Sequence, residues 1–241
     1  MNDADKALVI IPTYNEVENV EQLTERIYSY MPDIHVLYID DGSPDGTAQL
    51  IKTIMKKNNR VHILERPGKM GLGSAYIEGF KFALKNGYEY ILQMDADFSH
   101  DPGELPNFMS AIKDNDMVIG SRYIKGVNVV NWPLSRLLLS YFANAFTRVV
   151  TGLPICDATG GFKCYRSSVL ENINLDGISS NGYAFQIELT FKIWRKNYRI
   201  KEIPIIFVDR VYGESKLSSK IMWEAFFLVW KLRMSRIFSK N

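Results

Sequence analysis

Two hydrophobic periods alternate along the first half of the chain. Short β-branched runs over 7–11, 35–39, 61–64, 90–94 and 117–119 read as strands, because such residues fit a pleated surface and the runs are too short for helices. Between them, 17–30, 45–57, 73–85 and 102–113 repeat apolar residues at three- and four-residue spacing, which predicts helices with one face on a core. Regular alternation of the two predicts an α/β fold, a mostly parallel Rossmann-like sheet flanked by helices. Ligands of such sheets bind beyond the carboxyl ends of the strands. Three of these ends are polar: PTYNE at 12–16, DDGS at 40–43 and DAD at 95–97.

The pattern changes after residue 130. A long helix is expected over 132–150 with Pro133 near its first turn, a short strand over 161–165 and a helix over 183–196. The apolar run 200–208 is interrupted by Pro204, which suits an edge strand. A polar loop over 209–219 and a last helix from about 220 to 239 follow. This divides the chain into a catalytic domain over 1–219 and a C-terminal amphipathic helix over 220–241.

Hydrophobic residues at 46% and charged residues at 23% match a folded globular chain, which excludes disorder and a polytopic membrane protein. Cys156 and Cys164 lack metal-ligand spacing and read as free thiols. The polar residues 1–6 lead straight into a strand, so a cytoplasmic protein is expected. Charge is uneven: residues 195–241 hold eleven Lys and Arg against four Asp and Glu, a net +7, which leaves the remainder at −5 of the total +2. A basic end on an acidic body points to an anionic surface or a phosphate, not to nucleic acid.

Asp95 and Asp97 are separated by one residue, so on extended backbone both face the same side and can share a cation. A few hard oxygen ligands suit Mg²⁺ or Mn²⁺ that also holds a diphosphate. A pair of aspartates that merely caps a helix would look the same in isolation. Asp40 and Asp41 offer a carboxylate able to accept from the ring N–H of guanine or uracil, with Gly42 and Ser43 as a turn. The segment 12–16 adds an aromatic face, and Asn15 reads as a helix cap.

PTYNE at 12–16, DDGSPDGT at 40–47, GLG at 71–73, DADFSH at 95–100 and GSR at 120–122 together resemble the family 2 glycosyltransferases with the GT-A fold. VNWPLSR at 130–136, DATGGFKCYR at 157–166 and DRVYGESK at 209–216 narrow the resemblance to dolichol-phosphate mannosyltransferases, and it covers about 6–218. The resemblance implies that Pro12, Tyr14, Glu16, Ile39 and Asp41 contact the nucleoside of GDP-mannose. It implies that Asp95, Ala96 and Asp97 hold the metal and diphosphate. It also implies that Arg122, Arg210 and Lys216 face the phosphates, with Arg122 and Arg136 toward the acceptor. Asp97, Arg122, Arg210 and Lys216 are then the catalytic set. Ser99 departs from relatives that carry Gln and use it as a metal ligand.

The implied reaction is inverting transfer of mannose to a dolichyl or polyprenyl phosphate. The acceptor places the enzyme peripherally on the cytoplasmic face of a membrane, with a small membrane-spanning subunit as a conceivable partner. The helix 133–150 shows one apolar face, and 221–230 is apolar except for Glu224, about 15 Å of helix and half of a bilayer core. It reads as an interfacial anchor or a partner dock. The loop 209–219, with Gly213 between two cations, is expected to close over bound phosphate.

Other readings are weaker. The third glycine of a dinucleotide fingerprint is replaced by Tyr76, and no P-loop is present. A processive polysaccharide synthase is expected to carry a QxxRW motif, which is missing. A polyprenyl-phosphate glucosyltransferase using UDP-glucose remains the nearest rival, and a non-catalytic sugar-nucleotide scaffold the rival of a different class.

Overall fold

The computed structural model describes residues 3–178, 180–209 and 219–238. In chain order, the elements are β1 (Ala7–Thr13), α1 (Val17–Tyr30), β2 (His35–Asp40), α2 (Thr47–Lys57), β3 (Val61–Glu65), α3 (Leu72–Lys85), β4 (Tyr90–Gln93), α4 (Leu105–Ala111) and β5 (Met117–Ser121). They continue with β6 (Val129–Val130), α5 (Leu134–Thr151), β7 (Lys163–Arg166), α6 (Ser167–Glu171), α7 (Gly182–Arg195), β8 (Ile200–Pro204), β9 (Phe207–Val208) and α8 (Ser219–Phe238).

The main sheet has seven strands in the order β3-β2-β1-β4-β7-β5-β8. All neighbours are parallel except β7, which runs antiparallel to both β4 and β5. Both faces are covered, so the inner strands bury nearly every position and divide their side chains by parity, while the edge strands β3 and β8 stay partly open. Leu8, Ile10, Leu37 and Ile39 join a core with α3, α6, α7 and α8, while Val9, Ile11, Val36 and Tyr38 join one with α1, α2 and α4. Burial on both faces is why these segments read as apolar runs.

Local chemistry shifts several expected boundaries. Asp45 lies outside α2: its carboxylate accepts from the Thr47 amide at 3.0 Å and the Val17 amide at 3.1 Å, tying the starts of α1 and α2 together. The segment 102–113 is not one helix, because Pro102 and Pro106 each reset the first turn and 3₁₀ turns flank α4. Asn15 does not cap α1; it takes a left-handed conformation with φ 58°, and Glu16 holds the cap position without a side-chain cap. The strand expected from 161 begins at Lys163. The run 200–208 divides at Pro204, which ends β8 at the sheet edge, and β9 pairs with β6 in a separate two-stranded sheet.

The terminal helix is not detached. Val229 and Leu232 are buried in the core against α5 and α7, and Phe226 stacks on Phe146 at 5.3 Å. Arg236 donates to the Thr151 carbonyl at 2.7 Å, closing the carboxyl end of α5. Its opposite face leaves Trp223 and Phe227 exposed. Among the described residues no helix is long and apolar enough to cross a membrane.

Candidate active site

The carboxyl ends of β1, β2 and β4 open into a cavity of about 320 Å³. Pro12, Tyr14, Glu16, Asp41, Asp95, Ala96, Asp97, Arg122 and Arg136 all line it. Ile39 does not: its side chain is fully buried on the α3 side of the sheet. Arg210 and Lys216 lie outside the described residues.

The two aspartates after β2 divide their work. Asp40 organises the turn, accepting from the Ser43 amide at 2.9 Å, the Ser43 hydroxyl at 2.6 Å and the Thr13 hydroxyl at 3.1 Å. Asp41 faces the cavity with Arg66 Nη1 3.2 Å away. Burial pushes the Asp41 carboxyl up, and the Arg66 charge draws it back. Sequence reading assigned nothing to Arg66, which also donates to Ser74 at 2.7 Å and so fixes the loop into α3. Lys69 was missed as well; it lines the cavity 4.4 Å from the Tyr14 ring centroid. The glycines of the GLG motif permit close packing at the start of α3. A Cβ on Gly71 would meet Asn181 at 2.6 Å, and one on Gly73 the Ser180 carbonyl at 2.7 Å.

Beyond β4, Asp97 Oδ1 accepts from the Ser99 hydroxyl at 2.6 Å and the Ser99 amide at 3.1 Å. Ser99 therefore orients a carboxylate, where relatives' Gln was expected to reach a metal. Asp95 receives the Tyr76 hydroxyl at 3.3 Å, and its amide donates to His100 Nδ1 at 3.1 Å. That contact places the proton of neutral His100 on Nε2. Burial lowers the His100 pKa, the Asp95 charge opposing. His100 is stacked on Phe162 at 4.9 Å. Among the described residues, no cluster of three or more His, Cys, Asp or Glu side chains could hold a metal. Two carboxylates fit a hard divalent cation that takes its other oxygens from a diphosphate and water, and do not fit a closed structural site.

Arg122 is the hub of the site. Its Nε and Nη2 form a forked pair with Asp157 at 2.7 and 2.6 Å, and Nη2 also reaches Thr159 at 2.8 Å. Trp132, Tyr123 and Phe207 surround the guanidinium at 5.3–5.5 Å. Burial disfavours charge on both partners, yet their attraction outweighs it, so Asp157 is held below the ordinary carboxyl range and Arg122 stays charged. Asp157 was legible only as part of a motif. Arg136 pairs with Asp209 at 2.8 Å and sits 4.2 Å from the Trp132 ring centroid.

A second cavity of about 330 Å³ shares Arg122, Trp132, Arg136, Thr159 and Tyr183 with the first. Its other walls are largely apolar, with Leu139, Phe142 and Phe146 from α5, Ile187 from α7, and Phe226 and Val229 from α8. A charged cleft thus adjoins an apolar groove, with Arg122 and Arg136 lining both.

A mostly parallel sheet with paired aspartates beyond β4 in a polar cleft is the organisation of a GT-A glycosyltransferase, and the likeness to known proteins agrees. The glycosyl transferase family 2 model matches residues 8–174. An undecaprenyl-phosphate mannosyltransferase of Micrococcus luteus is 44% identical over 220 residues, 91% of this chain and 90% of that protein. A polyprenol monophosphomannose synthase of Mycolicibacterium smegmatis is 44% identical over 232 residues, 95% and 88% of the two chains. Glucosyl-3-phosphoglycerate synthase of Mycobacterium tuberculosis superposes with a TM-score of 0.69 at 15% identity, over 96% of this chain and 82% of that one. A mannosyltransferase of Pyrobaculum calidifontis, solved with GDP-Man and Mn²⁺, gives 0.58 at 16% identity, over 97% and 74%. The chain belongs to glycosyltransferase family 2 and, within it, to the polyprenyl-phosphate mannosyltransferases.

Proposed function

We propose that the enzyme transfers mannose from GDP-mannose to a polyprenyl phosphate with inversion, and that Asp95 and Asp97 hold Mg²⁺ or Mn²⁺ against the donor diphosphate. The observation that carries this reading is the adjacency of the charged cleft and the apolar groove, which share Arg122 and Arg136. A sugar nucleotide fits the first, an isoprenoid chain the second, and its phosphate then lies at the junction beside Arg122 and Arg136. Asp95 and Asp97 would hold the cation, which would supply charge neutralisation to the departing diphosphate.

The protein's part is to bring two anions together and orient them. Asp41 accepts from the base, and Arg66 holds that carboxylate in place. Tyr14 and Lys69 border the nucleoside side of the cleft. An alkyl phosphate has a second pKa near ~6, so it is mostly dianionic at neutral pH and needs no strong general base. Its oxygen forms a bond to the anomeric carbon as the bond to GDP breaks, the electron pair leaving with the diphosphate. Arg210 and Lys216 are proposed to add charge to the same phosphates.

The membrane side of this reading rests on α5 and α8. Leu134, Phe142 and Val149 on α5 and Trp223 and Phe227 on α8 are exposed. Lys231 and Arg233 stand close by in the sequence of α8. This is the composition of a surface that settles into an anionic leaflet, a peripheral enzyme on the cytoplasmic face. A donor screen decides the substrate: GDP-mannose, UDP-glucose and UDP-N-acetylglucosamine are each offered with a short polyprenyl phosphate and Mn²⁺. GDP-mannose is expected to be used at least tenfold better, and preference for either uridine donor would overturn the assignment.

A further inference from the structure

Lys163 is fully buried in the sheet, and no carboxylate lies within ion-pairing distance of it among the described residues. Its ammonium donates to the Gln186 carbonyl at 3.1 Å, the Gln186 side-chain oxygen at 2.8 Å and the Thr190 hydroxyl at 2.9 Å. A lone ammonium in a core costs stability, so its persistence there points to what it holds.

What it holds is the third residue of α7 that lines the polar cleft, Gln186, one turn beyond Gly182 and Tyr183. An ammonium only donates, so the Gln186 amide must turn its oxygen to Lys163 and its NH₂ the other way. No hydrogen bond to that NH₂ exists among the described residues, although the side chain is almost completely buried. The NH₂ is not sealed in the core: Gln186 lines the cleft, so this amide can donate to a ligand oxygen that enters it.

We propose that Gln186 is a binding residue whose amide NH₂ donates to a phosphoryl oxygen in the cleft, and that Lys163 is the positioning residue that fixes the amide's orientation. This rests on the cleft being a sugar-nucleotide and phosphate site, and deepens that reading. The phosphoryl group belongs either to the donor diphosphate or to the acceptor, and the two sources are separable. A carboxylate at this position would serve Lys163 better but repel phosphate; an amide serves both.

The direct test is Gln186→Glu, which keeps the acceptor for Lys163 and removes the donor. It should fold with an unchanged or higher Tm and lose at least tenfold in kcat/KM. Binding of GDP with Mn²⁺, measured by calorimetry, is read beside the acceptor KM. A tenfold weaker Kd assigns the donor diphosphate, and a raised acceptor KM with unchanged Kd assigns the acceptor phosphate. If neither moves, the proposal is overturned. Binding of pyrophosphate with Mn²⁺ is measured too, so a wrong donor assignment cannot mimic that failure. A double-mutant cycle tests the positioning role: Lys163→Met should cost several-fold in native background and nothing further in Gln186→Ala. Additive losses would show that Lys163 acts elsewhere, and if Lys163→Met does not fold, the Gln186→Glu arm still decides.

Discussion

Asp97 and Asp157, from two different motifs, do different work. Asp97 is expected to be irreplaceable for chemistry and dispensable for folding, because it lines the cleft in the loop beyond β4, where its Oδ1 accepts from Ser99. Asp97→Ala should abolish transfer at saturating Mn²⁺ while the thermal transition stays within a few degrees of the native one; full activity would remove the metal assignment. Asp157 is the converse case. It is fully buried and neutralises Arg122, so Asp157→Ala leaves a guanidinium without its partner and should destabilise by about 3–5 kcal/mol, read from urea denaturation. The sequence displayed both aspartates in similar polar runs. It could not show that one would point into a cleft and the other meet an arginine from 35 positions earlier. Arg66 and Gln186 were invisible for the same reason: each acts through a partner brought by the sheet.

At the scale of elements, periodicity located most of the strands and helices, since their apolar faces determine them. It failed where one polar side chain or a proline decided a boundary, as with Asp45 before α2 and Pro106 at the start of α4. It also failed where direction mattered, because a four-residue strand such as β7 reads the same parallel or antiparallel. For α8, the sequence pattern reads as an interfacial anchor or a partner dock, whereas the structure packs one face of the helix into the core and leaves the other exposed. Val229 and Leu232 seat it, whereas Trp223 and Phe227 remain outside. Truncation would disturb both roles, so the informative change is Trp223→Ser with Phe227→Ser. Burial of such rings contributes about 2 kcal/mol each, so the pair should bind vesicles of anionic phospholipid at least tenfold more weakly while keeping its Tm and its rate on a short soluble acceptor. Equal loss on short acceptors would place these rings in the groove rather than on the lipid.

For the molecule as a whole, acid sensitivity should come from its histidines. His35 Nδ1 and His62 Nε2 are 3.1 Å apart, and the Tyr88 hydroxyl lies 3.0 Å from the former. The rings are nearly coplanar, with centroids 5.5 Å apart, which aims one nitrogen at the other so that a single proton serves both. Burial lowers the pKa of each; Asp5 opposes this at His35, while Arg60 adds to it. His100 is lowered too, at the other end of the sheet. With folded values below the ordinary 6.5, the unfolded chain binds protons first as pH falls, so it gains on the native state. Stability should therefore be fully present above pH ~7 and decline as pH drops through the range below 6.5. Thermal scans in steps from pH 8 to 5 should show this decline, and His62→Phe should flatten part of it by removing one of the three groups that must charge. A native profile level from pH 7 to 5 would mean that these imidazoles take up protons in the folded state as readily as in the unfolded one, and that their burial leaves them hydrated.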